Sequence, residues 1–285
     1  MIDRYLIRYF LAVVDQGNFS RAAAQCNVAQ PTLSVGIAKL ERAVERPLFT
    51  RSNQRVELTE AGARFLAHAR RIEQEFNSAL GAMRTTADSE TIRLGVLSSI
   101  PGAAIAAACR EAQGELPGAL ELVFGTEREL AGLLDRGRID AALSIVRPDK
   151  SGLLREAVLD EGYGVAMAGD HRLGTREIVS AEELRDEVMI VRRHCELLSE
   201  TSRHFVERAV RPHFALRSTN DERVAQMVAA GVGVTVMPDS YRGAEGIALV
   251  PMSNFPHRRT LGFLARERHF LDHALMLAIS RSLAG

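Results

Sequence analysis

The stretch from Phe19 to Glu41 admits few folds. Asn18 is placed to cap a helix through the small residues Ala22, Ala23 and Ala24, because its side-chain oxygen can accept from the helix's free N–H groups. Cys26-Asn27-Val28 then makes a tight turn, with Val28 as the apolar plug between two helices. Pro31 suits the first turn of the next helix, where a missing N–H costs nothing. Leu33, Ile37 and Leu40 recur at helical spacing and bury one face, leaving Gln30, Thr32, Ser34, Val35 and Lys39 outward. Two short helices at a sharp angle, the second presenting small polar groups, form a helix-turn-helix. Spacing alone leaves a plain helical hairpin as the alternative.

Residues 47–62 favour the helix-turn-helix over the hairpin. Phe49, Val56 and Leu58 flank a polar turn that carries Arg51 and Arg55, the pattern of a β-hairpin wing. Arginines on such a turn are placed to meet phosphates or the minor groove. The chain is neutral overall, yet residues 1–87 hold 12 Lys and Arg against 8 Asp and Glu. That mild basic excess sits beside the motif, where it counts.

Residues 59–86 contain no proline and read as one long helix. Phe65, Ala69, Ile72, Phe76, Ala79 and Met83 form a heptad seam, which predicts a dimer helix in preference to packing on its own domain. The polar segment Thr85–Glu90 is the best domain boundary. Beyond it, apolar runs alternate with helical stretches: Thr91–Leu97, Leu120–Gly125, Ile139–Val146, Gly162–Ala168, Val188–Val191, Val232–Met237 and Leu261–Ala265. Strand–helix alternation of this kind predicts an α/β sheet, and 285 residues suit two domains.

In open α/β sheets, ligands sit beyond the strand ends, where helix N-termini present free N–H groups. Four such places are Ser98-Ser99, Thr126, the segment Arg192-Arg193-His194-Cys195, and Asn220. Hydroxyl, amide and guanidinium groups converging there suit a small anion. Each also has a plain structural reading as a helix cap or a solvated arginine.

The motif from Phe19 to Glu41, with Pro47-Leu48-Phe49, Arg51 and Leu58-Thr59-Glu60-Ala61-Gly62, closely resembles the DNA-binding domain of LysR-type transcriptional regulators. The resemblance implies a winged helix-turn-helix domain over 1–58 and a linker and dimerisation helix over 59–87. Next to these it implies an α/β effector-binding domain over 91–285, folded like periplasmic binding proteins. Its subdomains would span about 91–160 with 257–285, and about 162–255, with crossings near Asp160–Gly162 and Pro251–Pro256. It implies a regulator that reads pseudo-palindromic DNA with Gln30, Pro31, Thr32, Ser34, Val35 and Lys39, helped by Arg51 and Arg55. The partners would be double-stranded DNA, a small anionic effector, and further copies in a homodimer or homotetramer. Two departures stand out: the family usually has Ser at Ala29, and a basic then a polar residue at Val35 and Gly36.

Other functions are weaker. A solute-binding or carrier protein could use the same cleft, but the N-terminus lacks signal-peptide features, which points to the cytoplasm. No apolar run reaches the roughly 18–20 residues that span a bilayer. Cys195 resembles the sensing cysteine of peroxide-responsive members, with a thiol pKa expected to be lowered by Arg192, Arg193 and a helix N-terminus. The only other cysteines are Cys26 and Cys109, so no partner lies downstream of it. His269 and His273, at i and i+4 of the expected last helix, have no third ligand for a metal. Gly231-Val232-Gly233 lacks the third glycine of a dinucleotide loop, and no GxSxG elbow is present. No catalytic set emerges from these residues, and no cofactor is expected.

Overall fold

Charges interrupt the apolar N-terminus at helical spacing, and it folds as α1 (Arg4–Gln16) with Leu6, Phe10 and Val13 fully buried. The computed structural model of the protein describes residues 2–51, 56–84, 91–115, 118–147 and 152–284. Contacts divide the chain into two compact units, Met1–Ala87 with Asp135–Arg138, and Asp88–Leu134 with Ile139–Gly285.

In the first unit, α2 (Phe19–Gln25) starts at Asn18, whose Oδ1 accepts from the N–H groups of Ser20 (2.9 Å) and Arg21 (3.0 Å). Asn27 takes a left-handed φ of 55° in the turn, a conformation asparagine tolerates. Then comes α3 (Gln30–Ala43), and after it a hairpin of β1 (Phe49–Arg51) and β2 (Val56–Leu58), with Phe49 opposite Leu58. Phe10 holds the unit together. Its ring meets those of Phe49 and Phe65 at 5.2 and 5.1 Å, and burying such a side chain is worth about 1.5–3 kcal/mol. The turn between the strands, with Arg55, lies outside the described residues.

The long helix is α4 (Glu60–Arg84). Its heptad seam divides, which corrects the expectation of a single exposed stripe. Phe65 and Ala69 pack into the domain's own core, while the seam residues Ile72 and Phe76 remain 47% and 41% exposed, as does Leu80, outside the seam, at 43%. The reason is reach: α1 covers only the first turns of α4. Arg4 closes that end, paired with Glu73 (2.7 and 2.9 Å) and lying 3.6 Å over the Phe76 ring. The boundary segment Thr85–Glu90 lies outside the described residues.

The second unit has two lobes. Its elements are β3 (Ile92–Leu97), α5 (Gly102–Glu111), β4 (Leu120–Gly125), α6 (Glu127–Asp135), β5 (Ala141–Ile145), β6 (Leu154–Glu161), β7 (Tyr163–Ala168), β8 (Val188–Arg192), α7 (Leu198–Glu207), β9 (His213–Ser218), α8 (Asp221–Ala229), β10 (Thr235–Pro238), β11 (Ile247–Pro251), β12 (Arg259–Ala265), α9 (Arg268–Leu271) and α10 (Ala274–Ala284). The first lobe is a five-stranded sheet ordered β4-β3-β5-β12-β6, parallel except at β12. The second contains the antiparallel sheet β10-β7-β11 and the parallel pair β8-β9, joined by a bridge from Met189 to Val234. The chain passes between lobes at Gly162, and again between Pro251 and Arg259.

Three strands were not legible as such. In β6, Leu-Arg-Glu-Ala-Val-Leu-Asp-Glu consists of helix formers and charges, half-buried or exposed at every position but the last. Pairing with β12, distant in sequence, makes it a strand. The largely exposed β9 is likewise defined by its pairing with β8, and β11 by its pairing with β7. His269 and His273 do not share a helix: α9 ends at Leu271, and His273 Nδ1 accepts from the Leu275 N–H at the start of α10 (3.1 Å). Gly233 has a packing role, since a Cβ there would lie 2.5 Å from the Val188 carbonyl oxygen. Among the described residues no helix is long and apolar enough to cross a membrane.

Candidate functional site

The outward face of α3 begins without a side-chain cap, because Ala29 has no oxygen to offer. Gln30, Pro31 and Thr32 are exposed, and Gln30 Nε2 donates to Ser34 Oγ (2.9 Å). Val35 is 65% exposed, a position where an aliphatic side chain can meet a thymine methyl but cannot hydrogen-bond a base. Lys39 donates to Tyr5 Oη and Asp3 Oδ2, both at 3.1 Å. These bonds raise its pKa and keep it charged. The pairs are exposed, so a phosphate can replace them at little cost.

Gly36 corrects the sequence-based placement beside Val35. It is buried, and a Cβ would lie 2.6 and 2.9 Å from the Tyr9 ring of α1. Glycine is there for close helix approach, not for reading bases. Gly36→Ala is therefore expected to lower stability by about 1 kcal/mol through overpacking, although alanine at an exposed helix position would add about that much. Thermal unfolding of the full chain decides the sign: a raised melting temperature would mean that Tyr9 swings away freely.

In the second unit, charged groups from both lobes meet. Arg259, opposite Glu161 in the β12–β6 register, donates from Nε to Glu161 Oε1 (2.7 Å) and from Nη1 to Ser99 Oγ (2.5 Å). Arg259 also pairs with Glu196, which lies just past β8. Tyr163 Oη donates to Glu196 Oε1 (2.8 Å), and the Ser240 N–H donates to Glu161 Oε2 (2.5 Å). Burial alone would raise the Glu196 pKa, but Arg259 and Arg192 outweigh it and hold the carboxyl below its ordinary range. Beside this cluster, the Gly102 N–H at the start of α5 donates to Glu222 Oε1 of α8 (2.5 Å), a further contact between the lobes.

The expected site residues are thus placed unequally. Ser99 is in the cluster, buried, while Ser98 stands beside it, half-buried. Thr126 caps α6: its N–H and hydroxyl both donate to Glu129 Oε2 (2.8 Å), so a side-chain carboxylate already fills that helix N-terminus. Arg192 is buried, its guanidinium paired with Asp221 (2.6 and 3.0 Å) and donating to the Val236 carbonyl (2.8 Å). Burial alone would lower its pKa, but Asp221 raises it. Arg193 and His194 are exposed, and Asn220 caps α8 by accepting from the Arg223 N–H (2.9 Å). Burial pushes the Cys195 thiol up, against the lowering expected from its neighbours, with Arg192 only partly opposing.

Sequence reasoning missed Arg259, Glu161, Glu196 and Glu222. A signal was available: the two crossings between lobes carry opposite charge, Asp160-Glu161 at one and His257-Arg258-Arg259 at the other.

Residues 85–281 match the family described as LysR substrate binding domain, and residues 5–63 match the bacterial regulatory helix-turn-helix protein, lysR family. The chain is 29% identical over 249 residues to the HTH-type transcriptional regulator XapR of Escherichia coli (strain K12), covering 84% of this chain and 83% of that one. It is 26% identical over 270 residues to the DNA-binding transcriptional dual regulator OxyR of the same strain, covering 91% and 88%. Among solved structures, a full-length OxyR variant from Pseudomonas aeruginosa shares the fold. Its TM-score is 0.54 at 24% identity, over 99% of this chain and 95% of that one.

Proposed function

This chain belongs to the LysR family of transcriptional regulators, and we propose how its two units divide the work of a DNA-binding regulator with an effector-binding domain. The first unit reads DNA with α3 in the major groove, through Gln30, Pro31, Thr32, Ser34, Val35 and Lys39. Arg51 and Arg55 of the wing lie on the backbone. The observation that carries this reading is the division of α3. Leu33, Ile37 and Leu40 are fully buried, while the opposite face presents small polar groups and Val35 to solvent. Two copies joined along the exposed half of α4, at Ile72, Phe76 and Leu80, give the two-fold arrangement that matches a pseudo-palindromic site. Pairing of such dimers yields a tetramer. The protein acts by binding rather than catalysis, in the cytoplasm.

The effector site is the cleft between the lobes, around Ser99 and Arg259. An anion enters there only by taking the seat of a resident carboxylate, Glu196 on Arg259 or Glu222 on the Gly102 N–H. Effector binding and these contacts are therefore alternatives, and the effector shifts the population between two lobe arrangements.

Selection of sequences from a random duplex library by the full-length protein tests the reading. A two-fold symmetric motif is expected, with thymines at the bases facing Val35. Arg51→Ala should then weaken binding to every selected sequence and lower the salt slope by about one unit. Absence of enrichment would overturn the assignment of α3, and an unchanged slope that of the wing.

A further inference from the structure

Lys39, on the outward face of α3, is met by two groups from the start of α1. Its ammonium donates to Asp3 Oδ2 and to Tyr5 Oη, both at 3.1 Å. It also lies 5.5 Å from the centre of the Tyr5 ring, within the roughly 6 Å at which an aromatic face attracts a cation. Tyr5 and Lys39 are exposed and Asp3 is half-buried, so all three stand where a large partner can reach them.

Tyr5 is held in place by its own helix. Its ring meets that of Tyr9 edge-on, with centroids 5.5 Å apart and planes at 71°. Tyr9 in turn lies against Gly36, where a Cβ would come within 2.6 Å of it. A side chain at position 36 would push Tyr9 outward, and Tyr5 leans on Tyr9. The glycine that takes a polar group off α3 thus makes room for α1 to bring a phenol beside Lys39. The Tyr5 hydroxyl accepts from Lys39, which leaves its own proton to donate. Among the described residues nothing accepts that proton. Lys39 likewise has three N–H donors and uses two of them here.

Resting on the reading that α3 meets DNA, we propose that Tyr5 is a further DNA-contacting residue. Its O–H and the Lys39 ammonium together hold one phosphate of the backbone, and the Asp3 carboxylate takes that place in the free protein. The two donors are 3.1 Å apart and converge from two helices, and the Asp3 carboxylate shows that the spot accepts an anion. Bonds from such donors to a phosphate are charge-assisted. A phosphate contact fixes register and carries no sequence information. Tyr5 therefore adds affinity and orientation, while Gln30 and Val35 face the bases.

Fluorescence anisotropy of the full-length protein tests this with two labelled duplexes, one of alternating A·T pairs and one of alternating G·C pairs. Tyr5→Phe keeps the ring on Tyr9 and deletes only the hydroxyl. It should weaken binding about tenfold, and equally on both duplexes. Lys39→Met should weaken binding and lower the salt slope by about one unit. In the Lys39→Met background the loss from Tyr5→Phe should shrink below about twofold, because both donors serve one phosphate. A tyrosine with a structural role alone would cost the same in either background. Asp3→Asn frees the ammonium without adding a contact, and should strengthen binding about threefold while Lys39 is present. Wild-type affinity in Tyr5→Phe overturns the proposal, as does a loss that is independent of Lys39 or confined to one duplex. A gain from Asp3→Asn that survives Lys39→Met is plain repulsion of DNA by the carboxylate, and overturns it too. If Lys39→Met leaves both affinity and slope unchanged, the placement of Lys39 at the DNA falls, and the proposal with it.

Discussion

Arg259→Ala is expected to destabilise the second unit by about 3–5 kcal/mol, the usual cost of removing one partner from a buried ion pair. The side chain is 2% exposed, as is that of Glu161, and Glu196 is 10% exposed. Without the guanidinium, two carboxylates face each other in a poorly solvated space, held by the N–H and hydroxyl of Ser240 on Glu161 and the Tyr163 hydroxyl on Glu196. Urea unfolding at neutral pH measures the loss. Arg259→Lys should fall between, since an ammonium keeps the charge but cannot bond Glu161, Glu196 and Ser99 together from one rigid fork. The pH dependence has a definite sign. Glu196 has its carboxyl pKa lowered by folding, so its contribution is fully present above the ordinary carboxylate value of about 4.3. It is lost as pH falls through the folded value, and the gap between wild type and Arg259→Ala should narrow in acid. A loss below about 1 kcal/mol at neutral pH would mean that water enters the cluster and that the cleft is wetter than its burial implies.

Asp221→Ala is expected to cost as much, about 3–5 kcal/mol, for the complementary reason: it strands a buried cation. Arg192 and Asp221 are 1% and 2% exposed at their side chains. The companion experiment separates net stability from breakage. The double substitution Arg192→Met with Asp221→Leu removes both charges at similar volume, and it should return to within about 1–2 kcal/mol of wild type. If the double variant is as unstable as Asp221→Ala, the Arg192 bond to the Val236 carbonyl carries more than the ion pair does. Either result bears on the effector. Because Asp221 saturates it, Arg192 ties β8 to α8 and is not available to an anion in the cleft.

Local chemistry made the first unit readable. The Asn18 cap, the turn at Asn27, Pro31 and the Leu33–Ile37–Leu40 stripe are all decided within a few residues of one another, and the fold places each as the spacing predicts. The strands β3, β4 and β7 were legible for the same reason, as apolar runs bounded by breakers. Reading failed where a partner distant in sequence decides the outcome. Gly36 looks like a departure from the family's polar residue until Tyr9 is brought against it. The heptad seam of α4 looks continuous until α1 covers its first half. Arg192, at the end of β8, looks like an anion ligand until Asp221 arrives from α8.

The helix-turn-helix, the long helix and the alternation of strands with helices follow from local order along the chain, because caps, turns and hydrophobic period act over one or two turns. Which charges remain free is set by contacts between segments far apart in the chain. A buried arginine is spent on whichever carboxylate the fold carries to it, and the low dielectric around the pair makes that choice binding. The cluster of Arg259 with Glu161 and Glu196 exists only once both lobes are built.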